Sequence, residues 1–308
     1  MTTLRGRAAE YLALRRALGF KLVDTERLLM QFITHLEQMG AARITTDVAV
    51  AWARQSVRAK PFYLRRRLGV VRQFARHLHT LDPATEVPPA GLLRCFPNRM
   101  PPHLYSLEEI DALLHAVGVL FHQPLRVATY HTLIGLLVVT GMRIGEVVGL
   151  DRDHVDLDGG VLTIIESKFG KSRQLLLHPS TVTALREYAD LRDRTPGTAN
   201  TAAFFVSTRG RLLVNTIDYT FAFIREAAGI RVPPDVRQPR VHDFRHTFAV
   251  ASLLDWYRAG VDVQARLPVL STWLGHINPA STYWYVQAAP ELLALAAARL
   301  ERAAGVWS

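Results

Sequence analysis

Two short runs of this chain bring together groups that suit a phosphate. In VHDFRHTFA, His242 and Arg245 are three apart, so on a helix they project from one face. An imidazole titrates near neutrality and can move a proton, while a guanidinium offers a planar fork of donors to two anionic oxygens. His246 is read as structural. In TGMRIGE, Arg143 follows the Thr140-Gly141 break with Glu146 one turn on, so a helix start could deliver the arginine into a cleft while the glutamate orients it. Taken singly, these are an ordinary polar helix face and an ordinary i,i+3 ion pair.

Only four of the 37 cationic side chains are lysine, and two of them, Lys168 and Lys171, lie within four residues of each other. Near the C-terminus, LGHINPASTYWY sets His276 nine residues before Tyr285. Tyr283 and Tyr285 diverge by about 200° on a helix, so only one can face a given phosphate. A zinc site of His242, His246 and His276 would lack both the HExxH glutamate and a cysteine partner. Gly170-Lys171-Ser172 looks like the end of a P-loop, but Ile165 stands where its first glycine belongs and the lysine is on a hairpin. Nothing marks a three-carboxylate metal site. The sequence therefore points to no metal and no cofactor.

The elements that must position these groups are mainly helical. Periodicity and capping residues predict helices over Leu4 to Leu18, Glu26 to Met39 (capped by Thr25), Asp47 to Val57 (capped by Thr46) and Pro61 to about His79. In the last, Leu64, Leu68, Val71, Ala75 and Leu78 form an apolar stripe, and Arg65, Arg72 and Arg76 form a basic edge beside it. Six prolines between residues 82 and 102 read as an extended linker. Ser106 and Glu109 form a capping box that opens a second domain. Its helices are predicted at Tyr130 to Thr140, Met142 to Leu150, Ser180 to Arg192, Asn215 to Ala228, His242 to Arg258, Pro268 to Trp273 and Pro290 to Ala304. VLTIIESKFGKSRQLLLH is the one strong β signal, a hairpin with Lys168 at its tip.

The chain has 308 residues, 49% of them apolar, which suits about two domains and excludes a chain disordered throughout. Its single cysteine, Cys95, leaves no internal disulfide and suggests a reducing compartment. No signal-peptide core and no membrane span is visible, so a cytoplasmic protein is expected, nucleoid-associated if bacterial. The net charge of +10 favours a polyanion such as nucleic acid. Residues 1–103 hold 17 Lys and Arg against 7 Asp and Glu, whereas residues 104–308 hold 20 of each.

Taken in order, Arg143, Lys168, His242-x-x-Arg245, His276 and Tyr285 closely resemble the signature of the tyrosine recombinases, or phage-type integrases. Local context agrees, with TGMRIGE at the first arginine, HDFRHTFA at the second and LGH before the tyrosine. The STYWY context resembles recombinases of integrative elements and transposons. The resemblance implies a mainly α fold with a small antiparallel sheet: a helical core-binding domain over 1–81, a linker over 82–103, an α+β catalytic domain over 104–289 and a docking helix over 290–308. It also implies that these domains close as a clamp on DNA. It makes Tyr285 the nucleophile that forms a 3′-phosphotyrosyl link, Arg143 and Arg245 the phosphate clamp, Lys168 the general acid, and His242 and His276 its helpers, with Glu146 behind Arg143. Arg65, Arg72, Arg76, Lys171 and Arg173 are candidate DNA contacts. The implied partners are double-stranded DNA with inverted-repeat core sites, further copies of the chain in a tetramer joined through the C-terminal helix, and sister recombinases of one element. A type IB topoisomerase and a non-cleaving accessory protein are the rival readings.

Overall fold

Threonine and proline set the helix starts of the first unit. Thr3 accepts a hydrogen bond from the Gly6 amide at 3.1 Å and opens α1 (Leu4–Ala17), and Pro61 stands in the first turn of α4 (Pro61–His79). Two starts differ from expectation. Helix α2 (Val23–Gln38) begins before Thr25, with Leu22 left-handed at φ +48° and Asp24 and Glu26 in its first turn, where carboxylates suit the positive helix end. Helix α3 (Thr46–Arg54) is capped by Thr45, because the Thr46 amide is taken by the Glu86 carboxylate at 2.7 Å. Leu68, Val71, Phe74, Ala75 and Leu78 of α4 pack into one core with Leu28, Phe32, Ile33 and Trp52.

The computed structural model describes residues 3–56, 59–93, 101–165, 170, 172–198, 201–233, 236–276, 282, 285 and 292. It divides into two compact units, Met1–Arg99 and Met100–Ser308. Residues 82–93 are not the free linker expected. Glu86 bonds Ile44 through its amide, the Arg72 guanidinium donates to the carbonyls of Pro88 and Pro89 at 2.7 and 2.8 Å, and Val87 and Leu93 pack on the first core. Proline's unsatisfied carbonyls here find an arginine donor, which fixes the segment to the first unit.

The second unit runs α5 (Leu107–Leu120), α6 (Pro124–Thr140), α7 (Ile144–Val148), a 3₁₀ turn (Arg152–His154), β1 (Val155–Asp156), β2 (Val161–Ile164), β3 (Arg173–Leu176), α8 (Pro179–Arg194), β4 (Val206–Ser207), β5 (Gly210–Arg211), α9 (Val214–Ala227), α10 (Asp243–Arg258) and α11 (Val263–Leu274). The Ser106 and Glu109 capping box opens α5 as expected. The nearly uncharged α6 is central and packs against α5, α8 and α10. Strands β1, β2 and β3 form an antiparallel sheet in that order, with Ile164 opposite Arg173 at the end next to the β2–β3 connection. The β4–β5 hairpin is an addition to the sequence reading. The tip bearing Lys168 and Lys171 and the predicted helix Pro290 to Ala304, apart from a buried Leu292, lie outside the described residues. No helix among the described residues is long and apolar enough to cross a membrane.

Candidate active site

The site is built where four helix ends meet in the second unit. Helix α6 stops at Gly141, left-handed at φ +61°, where a Cβ would come within 2.5 Å of the Phe248 ring, so only glycine fits. Two residues on, Arg143 caps the short α7, and the Glu146 carboxylate accepts both the Arg143 amide (3.0 Å) and its Nη1 (2.8 Å). At the head of α10, the fully buried Asp243 accepts the Arg240 amide at 2.9 Å and pairs with Arg237, which fixes the turn that carries His242 and Arg245. Helix α11 ends at Gly275, also left-handed, and His276 follows.

Three successive carbonyls at the C-terminal end of α11 each accept from a different arginine. Trp273 O takes Arg173 Nε at 2.7 Å, Leu274 O takes Arg245 Nη2 at 2.5 Å, and Gly275 O takes Arg143 Nη2 at 3.2 Å. The last carbonyls of a helix lack intrahelical partners and lie at its negative end, so they suit cations. Arg245 also donates to Gly141 O at 2.9 Å and is almost fully buried. The Trp273 indole donates to Thr140 O at 2.9 Å, tying α11 to the end of α6.

Tyr285 is 3% exposed and belongs to one buried core with Ala249, Val250, Leu253, Leu270 and Leu274, close enough to the Arg245 guanidinium to favour its charged form. The His276 ring is stacked on the Tyr285 ring with centroids 5.9 Å apart, and its Nδ1 pairs with Thr282 Oγ1 at 2.8 Å. The His246 ring lies 5.3 Å from Tyr285 and 5.2 Å from His242. The sequence reading set His246 aside as structural; folding places it between the first histidine and the tyrosine. Its i+4 spacing from His242 was the available signal.

Burial favours the neutral form of all three imidazoles. It lowers His242 to about 4, with Arg245 pushing the same way, His246 to about 3, with His242 adding, and His276 to about 4, again with Arg245. Burial likewise lowers Arg245 to about 10. Burial pushes the Glu146 carboxyl up, but the hydrogen bonds and charges of Arg173 and then Arg143 outweigh it and hold the group below its ordinary value. Arg143, Arg173 and Arg245 against the single Glu146 leave a surplus of two positive charges, which suits an anion.

Arg143, Glu146, His242, Arg245, His276 and Tyr285 thus come together. Arg173, expected as a DNA contact, has a side chain only 9% exposed, with its fork on Glu146 and Trp273 O. Arg72 is likewise held by proline carbonyls, whereas Arg65 and Arg76 are exposed on α4. Lys168, Lys171 and Tyr283 lie outside the described residues.

The chain belongs to the phage integrase family, whose profile matches residues 105–291. It is 45% identical, over 98% of its own length and 98% of the relative's, to a Sinorhizobium fredii protein described as an integrase/recombinase, y4rB. It is 34% identical, over 68% of this chain and 63% of the other, to the tyrosine recombinase XerD of Mycobacterium leprae. Among solved structures, the Tn1549 transposon integrase in complex with transposon right end DNA shares the fold, with a TM-score of 0.65 at 16% identity over 97% of this chain and 99% of that one.

Proposed function

We propose that the chain is a site-specific DNA recombinase that cuts and rejoins duplex DNA through a covalent 3′-phosphotyrosyl intermediate. The observation that carries this reading is the buried Tyr285 ring against the His246 and His276 rings, next to the buried Arg245. Arg143 and Arg245 clamp the non-bridging oxygens of the scissile phosphate and stabilise the charge that grows in the pentacoordinate transition state. The tyrosine oxygen attacks phosphorus, the bond to the 5′ oxygen breaks, and that oxygen leaves with a proton supplied by Lys168. The tyrosine's proton passes to His242 or the phosphate, and His276 donates a hydrogen bond to a phosphate oxygen.

An entering phosphate offsets the arginine charges that help keep His242 neutral, so its basicity rises when it is needed. The phosphotyrosine conserves the energy of the broken bond, so resealing by the 5′-hydroxyl needs no ATP. Exposed cations of α4, such as Arg65 and Arg76, would meet backbone phosphates, and residues 290–308 would join copies of the chain into a tetramer on two DNA sites.

The direct test is a nicked suicide duplex made from the DNA flanking the gene, incubated with the chain and run on a denaturing gel. The wild type is expected to leave a protein–DNA adduct and Tyr285→Phe to bind without one. An adduct from the phenylalanine variant would overturn the assignment.

A further inference from the structure

The Glu146 carboxylate is almost fully buried, and each of its oxygens receives two hydrogen bonds. Oε1 accepts Arg143 Nη1 at 2.8 Å and Arg173 Nη1 at 3.1 Å; Oε2 accepts the Arg143 amide at 3.0 Å and Arg173 Nη2 at 2.8 Å. One carboxylate therefore sits between two guanidiniums of unequal standing. Arg173 engages all three of its guanidinium nitrogens, the third with Trp273 O, and its side chain is 9% exposed. The Arg143 side chain is 21% exposed and lies on the side of the site where His242, Arg245 and His276 gather.

The electrostatic consequence follows from burial. A carboxylate paired with one arginine cancels that arginine's charge, and in a desolvated site little solvent screens the loss. With a second arginine on the same carboxylate, one positive charge survives. Arg173 is the one whose geometry cannot release it, because strand β3, the end of α11 and Glu146 hold it from three directions.

We propose that Arg173 is a positioning residue that neutralises Glu146, so that Glu146 can orient Arg143 while the charge of Arg143 stays available to the scissile phosphate. This rests on the recombinase reading for the identity of the anion. The planar fork explains how the residue is held, with two parallel N–H groups on the carboxylate edge while Nε reaches a carbonyl; neutralising the carboxylate requires only the positive charge.

The test is binding of inorganic orthovanadate, a mimic of pentacoordinate phosphorus, by the full chain in isothermal titration at neutral pH. Arg173→Gln is expected to weaken binding about tenfold, or about 1.4 kcal/mol. In the Glu146→Gln/Arg173→Gln double variant the uncompensated carboxylate is gone, and affinity is expected to return to within about threefold of wild type, the signature of coupled neighbours. An Arg173→Gln variant that binds like wild type, or a double variant as weak as the single, overturns the proposal. Should Arg173→Gln fail to fold, Arg173→Lys reads the same point: it keeps the charge and is expected within about threefold of wild type, and a tenfold loss there overturns it. Adduct formation on DNA is scored separately. A wild-type chain that takes vanadate but forms no adduct counts against the recombinase reading and leaves the role of Arg173 standing.

Discussion

The centre of the site holds neutral bases and paired cations, and this fixes how the protein responds to acid. His242 and His276 fall on folding from an ordinary value of 6.5 to about 4. Their neutral forms therefore contribute stability that is fully present above pH 6.5 and is lost as pH falls through that value towards 4. Thermal melts are expected to show Tm dropping across this window, and His242→Gln to flatten the drop; an unchanged slope in that variant would contradict the assignment. At this scale the sequence was informative where chemistry dictates residue types at fixed separations, as for His242 and Arg245. It was silent on the burial of Arg173, because a cation beside a hairpin tip looks the same on paper whether it faces solvent or a buried carboxylate. His246 was passed over for a related reason, since its neighbour Tyr285 arrives from a distant segment.

Helix ends, rather than helix faces, organise this site, and Gly275 shows why. Its backbone is left-handed at φ +66°, and a Cβ there would meet Arg173 Nη1 at 2.7 Å. Gly275→Ala is expected to destabilise the second unit by about 1–3 kcal/mol in denaturant unfolding and to slow adduct formation by displacing the arginine. Local signals located most of the elements: the Ser106 and Glu109 box opened α5, and two β-prone runs marked β2 and β3. Signals of equal local strength failed where a tertiary partner decided. Thr45 caps α3 in place of Thr46 because Glu86 claims the second amide. Helix α11 starts at Val263 through the Asp262 cap, which accepts the Gln264 and Ala265 amides, and runs through Pro268, the residue that looked like its start. The strands β4 and β5 are two residues each, too short for any periodic pattern.

Across the whole chain, the charge excess lies in residues 1–103, while residues 104–308 balance 20 cations against 20 anions. That division was legible from composition, whereas the docking of residues 82–93 onto the first unit was not, because proline-rich stretches read as free until their carbonyls find donors. The apolar tail containing Leu292, Leu293, Leu295 and Leu300 motivates a test at this scale. Removing residues 290–308 is expected to leave binding to a single DNA site intact and to weaken cooperative pairing of two sites in a gel-shift titration; undiminished recombination would rule out the tail as the joining element. The acceptors for Arg143, Arg173 and Arg245 are main-chain carbonyls of residues 273–275. Substitution at a side chain cannot delete such an acceptor. The cations are therefore disturbed by changes that move this backbone or crowd an arginine against it, rather than by loss of an acceptor side chain.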